Sequence, residues 1–515
     1  MGVDAVASFI QPRQETPSIV DTLVAMNPDA RKQIIQSELY GKRFRPAADA
    51  HRVYKMFFGG YEERYLGAFH EHPWSQRAEK DLELARDKGE HFSNKDLKAR
   101  LEPRMYDKHT LVADASPFAL AVNRATAKLE LQETHELRND LSFPDQPLKG
   151  MNIILSVEIG GTNIYWAMVD ISADGSTTIA KYSSVPFPRT EFGSPLDFFA
   201  TVIGHITKEM EQTISETPYD AISIVYSYEH TNAPRHAGQP GLDAQPVIPM
   251  GKGFIVPNID AIFVGEQLQD DLSIAYSENP PDSRLPYVVL NDAVAVLLSA
   301  DAHIGGIIGT GVNFAIIVNG RIINLEAGNF DDVPIHAYAQ RIDKTSENPG
   351  KHLAEKQVGG KYLGLTLEEI LRDFSDTGIV PFRTKDDAQL TAETITNILD
   401  GNVQALSTVF DASEEQIQDN FPILFGAATR LRERAAQIVG CMIAAVMRTY
   451  PHEFRDAPPI PMEGSVFYGM PGFKETVRST VEERTNQEVQ FTPKTHKPGI
   501  RGAGKLALRF RKIHS

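Results

Sequence analysis

Two glycine-rich stretches, each lying between apolar runs, have residue types suited to binding phosphate. Gly160-Gly161-Thr162 and Gly309-Thr310-Gly311 let backbone N–H groups approach an anion closely because glycine has no Cβ, and each threonine adds a hydroxyl donor. Neither stretch has the Gly-Lys-Ser/Thr ending of a P-loop. The sequence therefore predicts two phosphate-binding turns that are not P-loops.

A carboxylate with a possible catalytic role follows a predicted buried strand. Residues 288–290 form a short apolar run, and Asn291-Asp292 ends it before a helical pattern over 294–302. A carboxylate at the carboxyl end of a strand is a common active-site position in α/β folds, and phosphoryl transfer needs a group that accepts the proton of the attacking hydroxyl. A helix N-cap explains Asn291-Asp292 equally well, so both interpretations stay open.

Several polar residues elsewhere in the chain are candidates for binding a polyol. A sugar site needs convergent hydrogen-bond donors and acceptors, and such groups are offered by Ser227, Lys252, Asn313, Glu326 and Glu355. Each of them, taken alone, is more typical of a solvated surface position than of a binding site.

The elements that must position these groups follow from apolar periodicity. A helix is predicted after Ser194, with Ser194 as its cap, Pro195 in its first turn and Asp197 at the capping-box position. A strand–turn–strand unit occurs twice, which favours two related α/β lobes, although two unrelated hairpins would give the same pattern. The predicted strands are 153–157, 164–169, 180–187 and 222–227, and later 305–308, 314–318 and 322–325.

Length and composition limit the class of protein. A chain of 515 residues with 42% hydrophobic and 23% charged residues should form two or three soluble domains. The formal net charge of −16 disfavours nucleic acid and anionic membranes as partners. A single cysteine, Cys441, excludes an intramolecular disulfide and a cysteine metal cluster. No secretory signal or bilayer-spanning run is apparent, so we expect a cytoplasmic enzyme.

The order of the motifs resembles that of the eukaryotic-type hexokinase family, from about Ile153 to the C-terminus. Each matching segment is short, but nine of them in the family's order make a chance resemblance implausible. The segments are 158–163, 251–254, 291–292, 308–313, 324–326, 355–356 with 360–364, 434–437, 463–465 with 471–475, and 502–504.

This resemblance implies a fold and an activity. The fold is α/β, with two actin-like (ribonuclease H-like) lobes flanking a nucleotide and sugar cleft. The small lobe is expected at 151–290 and the large lobe at 291–515, with a C-terminal helix that can return to the small lobe. The resemblance does not extend to residues 1–150, which are longer than the N-terminal part that the family usually has and are expected to form a mostly helical extension without an assigned function. The implied activity is transfer of the γ-phosphate of ATP, with Mg²⁺, to the 6-hydroxyl of glucose or a related hexose.

The resemblance also implies roles for individual residues. Asp292 is the implied base that accepts the hydroxyl proton, and Glu158 is implied to lie near the metal ion. The implied sugar-binding residues are Ser227, Lys252, Asn291, Asn313, Glu326 and Glu355. The implied nucleotide-binding residues are Gly160, Gly161, Thr162, Asn163, Gly309, Thr310, Gly311, Gly464 and Ser465.

Some positions depart from the family's pattern. The family has aspartate where Glu158 and Glu463 stand, and arginine where Tyr165 stands. Glutamate keeps the charge of aspartate but moves it by one methylene, which alters the geometry offered to a metal. These departures leave two alternatives beside an active hexose kinase. One is a hexokinase-like sugar-binding regulator with little catalysis, and the other is a kinase for another sugar, such as an amino sugar.

Overall fold

A computed structural model describes residues 152–514, apart from short gaps. The predicted extension at 1–150 and the candidate Lys252 lie outside the described residues. The gaps are 173, 188–190, 218, 229, 235–240, 249, 251–253, 276–284, 319–320, 331–332, 334, 377 and 455–458.

The described chain divides into two compact units. The helical unit comprises Asp331–Cys441 and Met470–Val477. The sheet unit comprises the described residues up to Phe330, then Met442–Gly469, and the chain from Arg478 onward. None of the helices in the described part of the chain has the length and apolarity needed to cross a membrane.

A seven-stranded sheet is the largest element of the sheet unit, with the strand order β3-β2-β1-β4-β7-β6-β5. Strands β1, β4 and β7 are parallel neighbours at its centre, and they are almost continuously apolar because both faces of the sheet are covered. The strands are β1 (Ile153–Ile159), β2 (Asn163–Ile171), β3 (Thr177–Pro186), β4 (Ala221–Tyr226), β5 (His230–Pro234), β6 (Gly241–Pro246) and β7 (Tyr287–Leu290).

Two long helices cover one face of this sheet. Helices α1 (Pro195–Glu216) and α2 (Val264–Ala275) bury apolar side chains such as Phe198 against it. The predicted start of α1 is confirmed, since the Ser194 hydroxyl accepts a hydrogen bond from the Asp197 N–H at 3.1 Å. These contacts form the hydrophobic core on this side of the sheet.

The other face is covered by α3 (Asp292–Leu297) and by the last helix, α12 (Pro498–His514). Close approach of these two helices depends on Gly502, because a Cβ there would overlap the carbonyl oxygen of Ala295. Helix α3 is shorter than the predicted run over 294–302. Its last turn tightens, since the Ser299 N–H donates to the Val296 carbonyl at 3.0 Å, and the chain then turns into the next strand.

A second sheet of four strands has the order β10-β9-β8-β11. Strands β8 and β9 form an antiparallel hairpin, as predicted, and β11 is parallel to β8. The strands are β8 (Ile304–Ile308), β9 (Val312–Val318), β10 (Arg321–Asn324) and β11 (Met462–Glu463), and the short helix α10 (Ser465–Gly469) follows β11.

The helical unit is held by packed helices and buried ion pairs. The Arg341 guanidinium donates to both carboxylate oxygens of Asp373 at 3.1 Å and ties α4 to α6. The buried Lys356 ammonium donates to Asp343 at 2.6 Å and fixes α5 beside α4. The helices are α4 (Ala337–Thr345), α5 (Glu355–Val358), α6 (Gly360–Asp376), α7 (Ala392–Leu399), α8 (Val403–Val409) and the first parts of α9 (Glu414–Thr449) and α11 (Phe473–Thr485).

Candidate functional site

The carboxyl ends of the central strands bring several predicted groups to one edge of the first sheet. Because β1, β4 and β7 are parallel, their carboxyl ends share an edge. Glu158 lies near the end of β1, Ser227 follows β4, and Asn291-Asp292 follow β7. The first glycine turn continues from β1 at the same edge, so the sheet topology gathers candidate phosphate and sugar ligands.

The first glycine turn is a tight hairpin tip between β1 and β2. The Gly160 N–H donates to the Asn163 carbonyl at 3.0 Å, and a Cβ on Gly160 would lie 2.9 Å from that oxygen. The Tyr228 hydroxyl donates to the Gly160 carbonyl at 2.8 Å and supports the turn from β4's side. A larger residue at position 160 would open the hairpin.

The second glycine turn is the tip of the β8–β9 hairpin and packs backbone to backbone against Gly464. The Gly309 N–H donates to the Gly311 carbonyl at 3.0 Å. Gly464 has a φ of 116°, and a Cβ there would overlap the Ile308 carbonyl oxygen and lie 2.9 Å from the Gly309 nitrogen. The predicted phosphate residues of this turn and the predicted nucleotide residues Gly464 and Ser465 are therefore adjacent.

The start of α3 separates the roles of Asn291 and Asp292. Asn291 is the N-cap, with φ −63° and ψ 150°, and its side-chain oxygen accepts from the Ala293 N–H at 2.9 Å. Asp292 is the first residue inside the helix, and its Oδ1 accepts from the same N–H at 2.8 Å. Asn291 is thus the main capping residue of α3. Asp292 is half-buried just after the carboxyl end of β7.

A chain of side-chain amides joins the first sheet's edge to Glu326. The Asn313 Nδ2 donates to Asn291 at 3.3 Å and to Asn324 at 2.9 Å, and Asn324 in turn donates to the Glu326 carboxylate at 2.7 Å. Glu326 has a left-handed backbone with φ 47°, a conformation that is uncommon for non-glycine residues and is enriched at functional sites. This network holds three predicted sugar ligands together, and Asn324 is a member that the sequence analysis did not select.

A lysine that the sequence analysis also did not select links the two sheets. The Lys497 ammonium lies 3.1 and 3.3 Å from the two Glu158 carboxylate oxygens and 3.9 Å from Glu463. It also lies 3.1 Å from the centroid of the Tyr165 ring, a cation–π contact. Burial alone would lower the pKa of Lys497, but the Glu158 and Glu463 carboxylates outweigh it and raise that pKa above its ordinary value.

Glu463 shares this environment and has a strongly altered acidity. Burial, together with the nearby Glu158 carboxylate, raises the pKa of Glu463 to about 7 despite the opposing effect of Lys497. The folded protein therefore binds a proton at Glu463 more tightly than the unfolded chain does. This difference in proton binding links stability to pH.

We expect the free energy of unfolding to fall as pH rises from about 4.5 to about 7, because the proton that the folded state holds on Glu463 is lost there. The stabilisation is complete below the unfolded-state pKa and gone above the folded-state pKa, a change on the order of 2–3 kcal/mol. Chemical denaturation at a series of pH values checks this. Glu463→Gln should flatten that part of the profile, whereas Glu415→Gln, an exposed change in α9, should not.

The predicted metal role of Glu158 was tested against the groups that surround its carboxylate. Both oxygens already face the Lys497 ammonium, which repels a divalent ion at contact distance. Among the described residues, no cluster of three or more His, Cys, Asp or Glu side chains could hold a metal. These contacts disfavour a metal bound directly by Glu158. The predicted position of Glu158 near the metal stays a prediction.

Two other predicted sugar-binding residues belong to different units of the chain. Ser227 is buried at the end of β4, and its N–H donates to the Ile159 carbonyl at 3.2 Å. Glu355 begins α5 in the helical unit. No spacing rule in the sequence pointed to Lys497. There was one indirect indication in the sequence, since three of the positions that depart from the family pattern, Glu158, Tyr165 and Glu463, prove to be its neighbours.

Sequence comparison finds similarity to hexokinases. Residues 303–508 match the family model described as Hexokinase. The chain is 25% identical to Hexokinase-2 of Candida albicans over 371 residues, which cover 64% of this chain and 73% of that protein. It is 25% identical to the hexokinase of Schwanniomyces occidentalis over 403 residues, which cover 69% of this chain and 80% of that protein.

Solved structures show the same fold. The hexokinase from Schistosoma mansoni complexed with glucose matches with a TM-score of 0.58 and 21% identity, covering 78% of this chain and 98% of that chain. Another hexokinase crystal structure matches with a TM-score of 0.55 and 16% identity, covering 80% of this chain and 98% of that chain. The predicted α/β fold is thereby confirmed, and it is the fold of these two hexokinase structures.

Proposed function

We propose that this chain, which is similar to hexokinases in sequence and in fold, transfers the γ-phosphate of ATP to the 6-hydroxyl of glucose or a related hexose. Its enzyme class is that of an ATP-dependent hexose kinase. The observation that best supports the proposal is the amide network, in which Asn291, Asn313 and Glu326 are held together beside Asp292. Such convergent polar groups suit a polyol.

Asp292 is the base in this proposal. Its carboxylate orients the acceptor hydroxyl and takes the hydroxyl proton while the sugar oxygen bonds to the γ-phosphorus. The bond from that phosphorus to the β–γ bridging oxygen breaks, and ADP leaves. The nucleotide is taken as its magnesium complex, in which the ion belongs to the substrate.

The two glycine turns bind the phosphates in this proposal, and Gly464 and Ser465 lie near the adenosine. Their backbone N–H groups meet phosphate oxygens without an intervening Cβ. Sugar contacts are assigned to the amide network together with Ser227, Lys252 and Glu355. The lobe boundaries at 151–290 and 291–515 and a cytoplasmic location are also proposals.

We expect Glu326→Ala to weaken hexose binding by about 1.5–3 kcal/mol, because sugar hydroxyls lose a charged acceptor in a partly buried site. Glu355→Ala should have a similar effect. Isothermal titration with glucose in the absence of ATP measures both losses.

Matched controls separate a lost sugar contact from a general defect. Glu326→Gln keeps an oxygen that can accept from Asn324, so it should lose less affinity than Glu326→Ala. Glu191→Ala, an exposed change in the same unit, should bind glucose as the wild type does. Wild-type affinity in both the Glu326→Ala and the Glu355→Ala variants would remove these residues from the sugar site.

The direct test of the proposed function is an ATP-dependent phosphorylation assay with glucose, fructose, mannose and glucosamine. The proposal expects turnover on glucose or another neutral hexose, with a hexose 6-phosphate as the product identified by mass spectrometry. Turnover confined to glucosamine would assign an amino-sugar kinase instead.

A second candidate function is supported by the contacts of Glu158. Because Lys497 occupies both of its carboxylate oxygens, a hexokinase-like sugar-binding regulator with little catalysis also fits this site. Saturable hexose binding without phosphorylation of any sugar in the panel would select that candidate and reject the kinase.

A further inference from the structure

Several independent features of the fold hold the Lys497 side chain at this site. It lies in the segment before α12, a helix whose small residues pack it closely on the first sheet. Its backbone is left-handed, with φ 50°, a conformation that is unfavourable for a residue with a Cβ. Its side chain is only 13% exposed. The surrounding structure therefore keeps this residue in a costly conformation, and the ammonium is held between groups of opposite charge.

The contacts of the ammonium come from both sheets. Glu158 belongs to β1 and Tyr165 to β2 of the first sheet, whereas Glu463 ends β11 of the second. All three groups surround the Lys497 ammonium nitrogen, which lies 3.1 Å from a Glu158 carboxylate oxygen, 3.1 Å from the centroid of the Tyr165 ring and 3.9 Å from a Glu463 carboxylate oxygen. One positive charge thus balances two acidic groups, of which Glu158 precedes the first glycine turn and Glu463 precedes the proposed nucleotide-binding residues Gly464 and Ser465.

We propose that Lys497 is the resident cation of this site, in place of a protein-bound divalent ion between Glu158 and Glu463. The same position cannot hold both charges, because an ammonium and a divalent ion at contact distance repel each other strongly in a partly buried site. It follows that magnesium reaches the active site only as part of the nucleotide. Lys497 is then a positioning residue, which fixes the two carboxylates and removes their repulsion of the phosphates.

The inference rests on the proposed function only in placing these residues beside the nucleotide. Its test is therefore made with no nucleotide or sugar present. Mn²⁺ binding to the full-length protein is followed by the paramagnetic resonance of the free ion. The wild type should show no saturable Mn²⁺ site at concentrations up to about 1 mM, which is the upper end of the dissociation constants of weak carboxylate sites.

Lys497→Met should create one Mn²⁺ site, with affinity at least roughly tenfold above the wild type, because two carboxylates lose their counter-ion. Lys497→Arg keeps the charge and should behave as the wild type. The double variant Lys497→Met with Glu158→Gln should lose the new site. A Lys497→Met protein that folds but binds Mn²⁺ no better than the wild type overturns the proposal.

The wild type and Glu158→Gln give a second test, which does not depend on Lys497→Met folding. The proposal expects neither protein to bind Mn²⁺ saturably. One saturable site in the wild type that Glu158→Gln removes would show that a divalent ion binds at Glu158 despite Lys497, and the proposal would fail. An absence of kinase activity would reject the proposed function but would not alter either Mn²⁺ result.

Discussion

The Asp292→Asn variant should lose turnover by roughly 10²–10⁴ while it binds hexose and ATP nearly as the wild type does. A sugar hydroxyl is a poor nucleophile, and its proton must leave as the new phosphorus–oxygen bond forms. Asparagine has the size of aspartate and can still accept the Ala293 N–H, but it cannot take up a proton. Steady-state kinetics with glucose and ATP, together with titration of each ligand, measure the two effects separately.

The alternative interpretation of Asp292 as a structural residue gives a different result. If the carboxylate only supports the start of α3, the substitution should cost about 1 kcal/mol of stability and leave turnover almost unchanged. Asn291 already supplies the N-cap, so we expect little change in stability. Asp301→Asn, an exposed change in the turn after α3, is the matched control and should keep wild-type turnover.

Gly464→Ala should destabilise the protein by about 3 kcal/mol or more and weaken nucleotide binding at least roughly tenfold. The φ of 116° at this position is strained for any residue with a Cβ. The added methyl group would also overlap the Ile308 carbonyl and press on Gly309, displacing the second glycine turn. Chemical denaturation and titration with ADP check the two losses.

Gly469→Ala provides the matched control in the same segment. A Cβ at this position meets nothing within 4 Å, and the residue ends the short helix α10. This variant should keep both the stability and the nucleotide affinity of the wild type. Wild-type nucleotide affinity in a folded Gly464→Ala protein would show that the second turn does not depend on its packing against Gly464.

Local pattern was enough to predict most elements that carry the site. Apolar runs interrupted by glycine predicted the β1–β2 and β8–β9 hairpins, because the tight turns that join paired strands favour glycine. Ser194 and Asp197 predicted the start of α1 for a similarly local reason, the hydrogen bonds of a helix terminus. The order of short motifs then pointed to the family and, through it, to Asp292 and the sugar-binding candidates.

The pairing of groups distant in sequence was decided by tertiary structure alone. Whether Asn291 or Asp292 caps α3 depends on the backbone angles at the strand end, and either residue type satisfies the sequence pattern. Asn324 joins the sugar candidates only because β9 and β10 pair in a register that sets Asn324 opposite Ala315, beside Asn313. Lys497 meets Glu158 across 339 residues because α12 packs against β1. Spacing encodes contacts within a turn or a helix, whereas such long-range contacts follow from sheet order and helix packing.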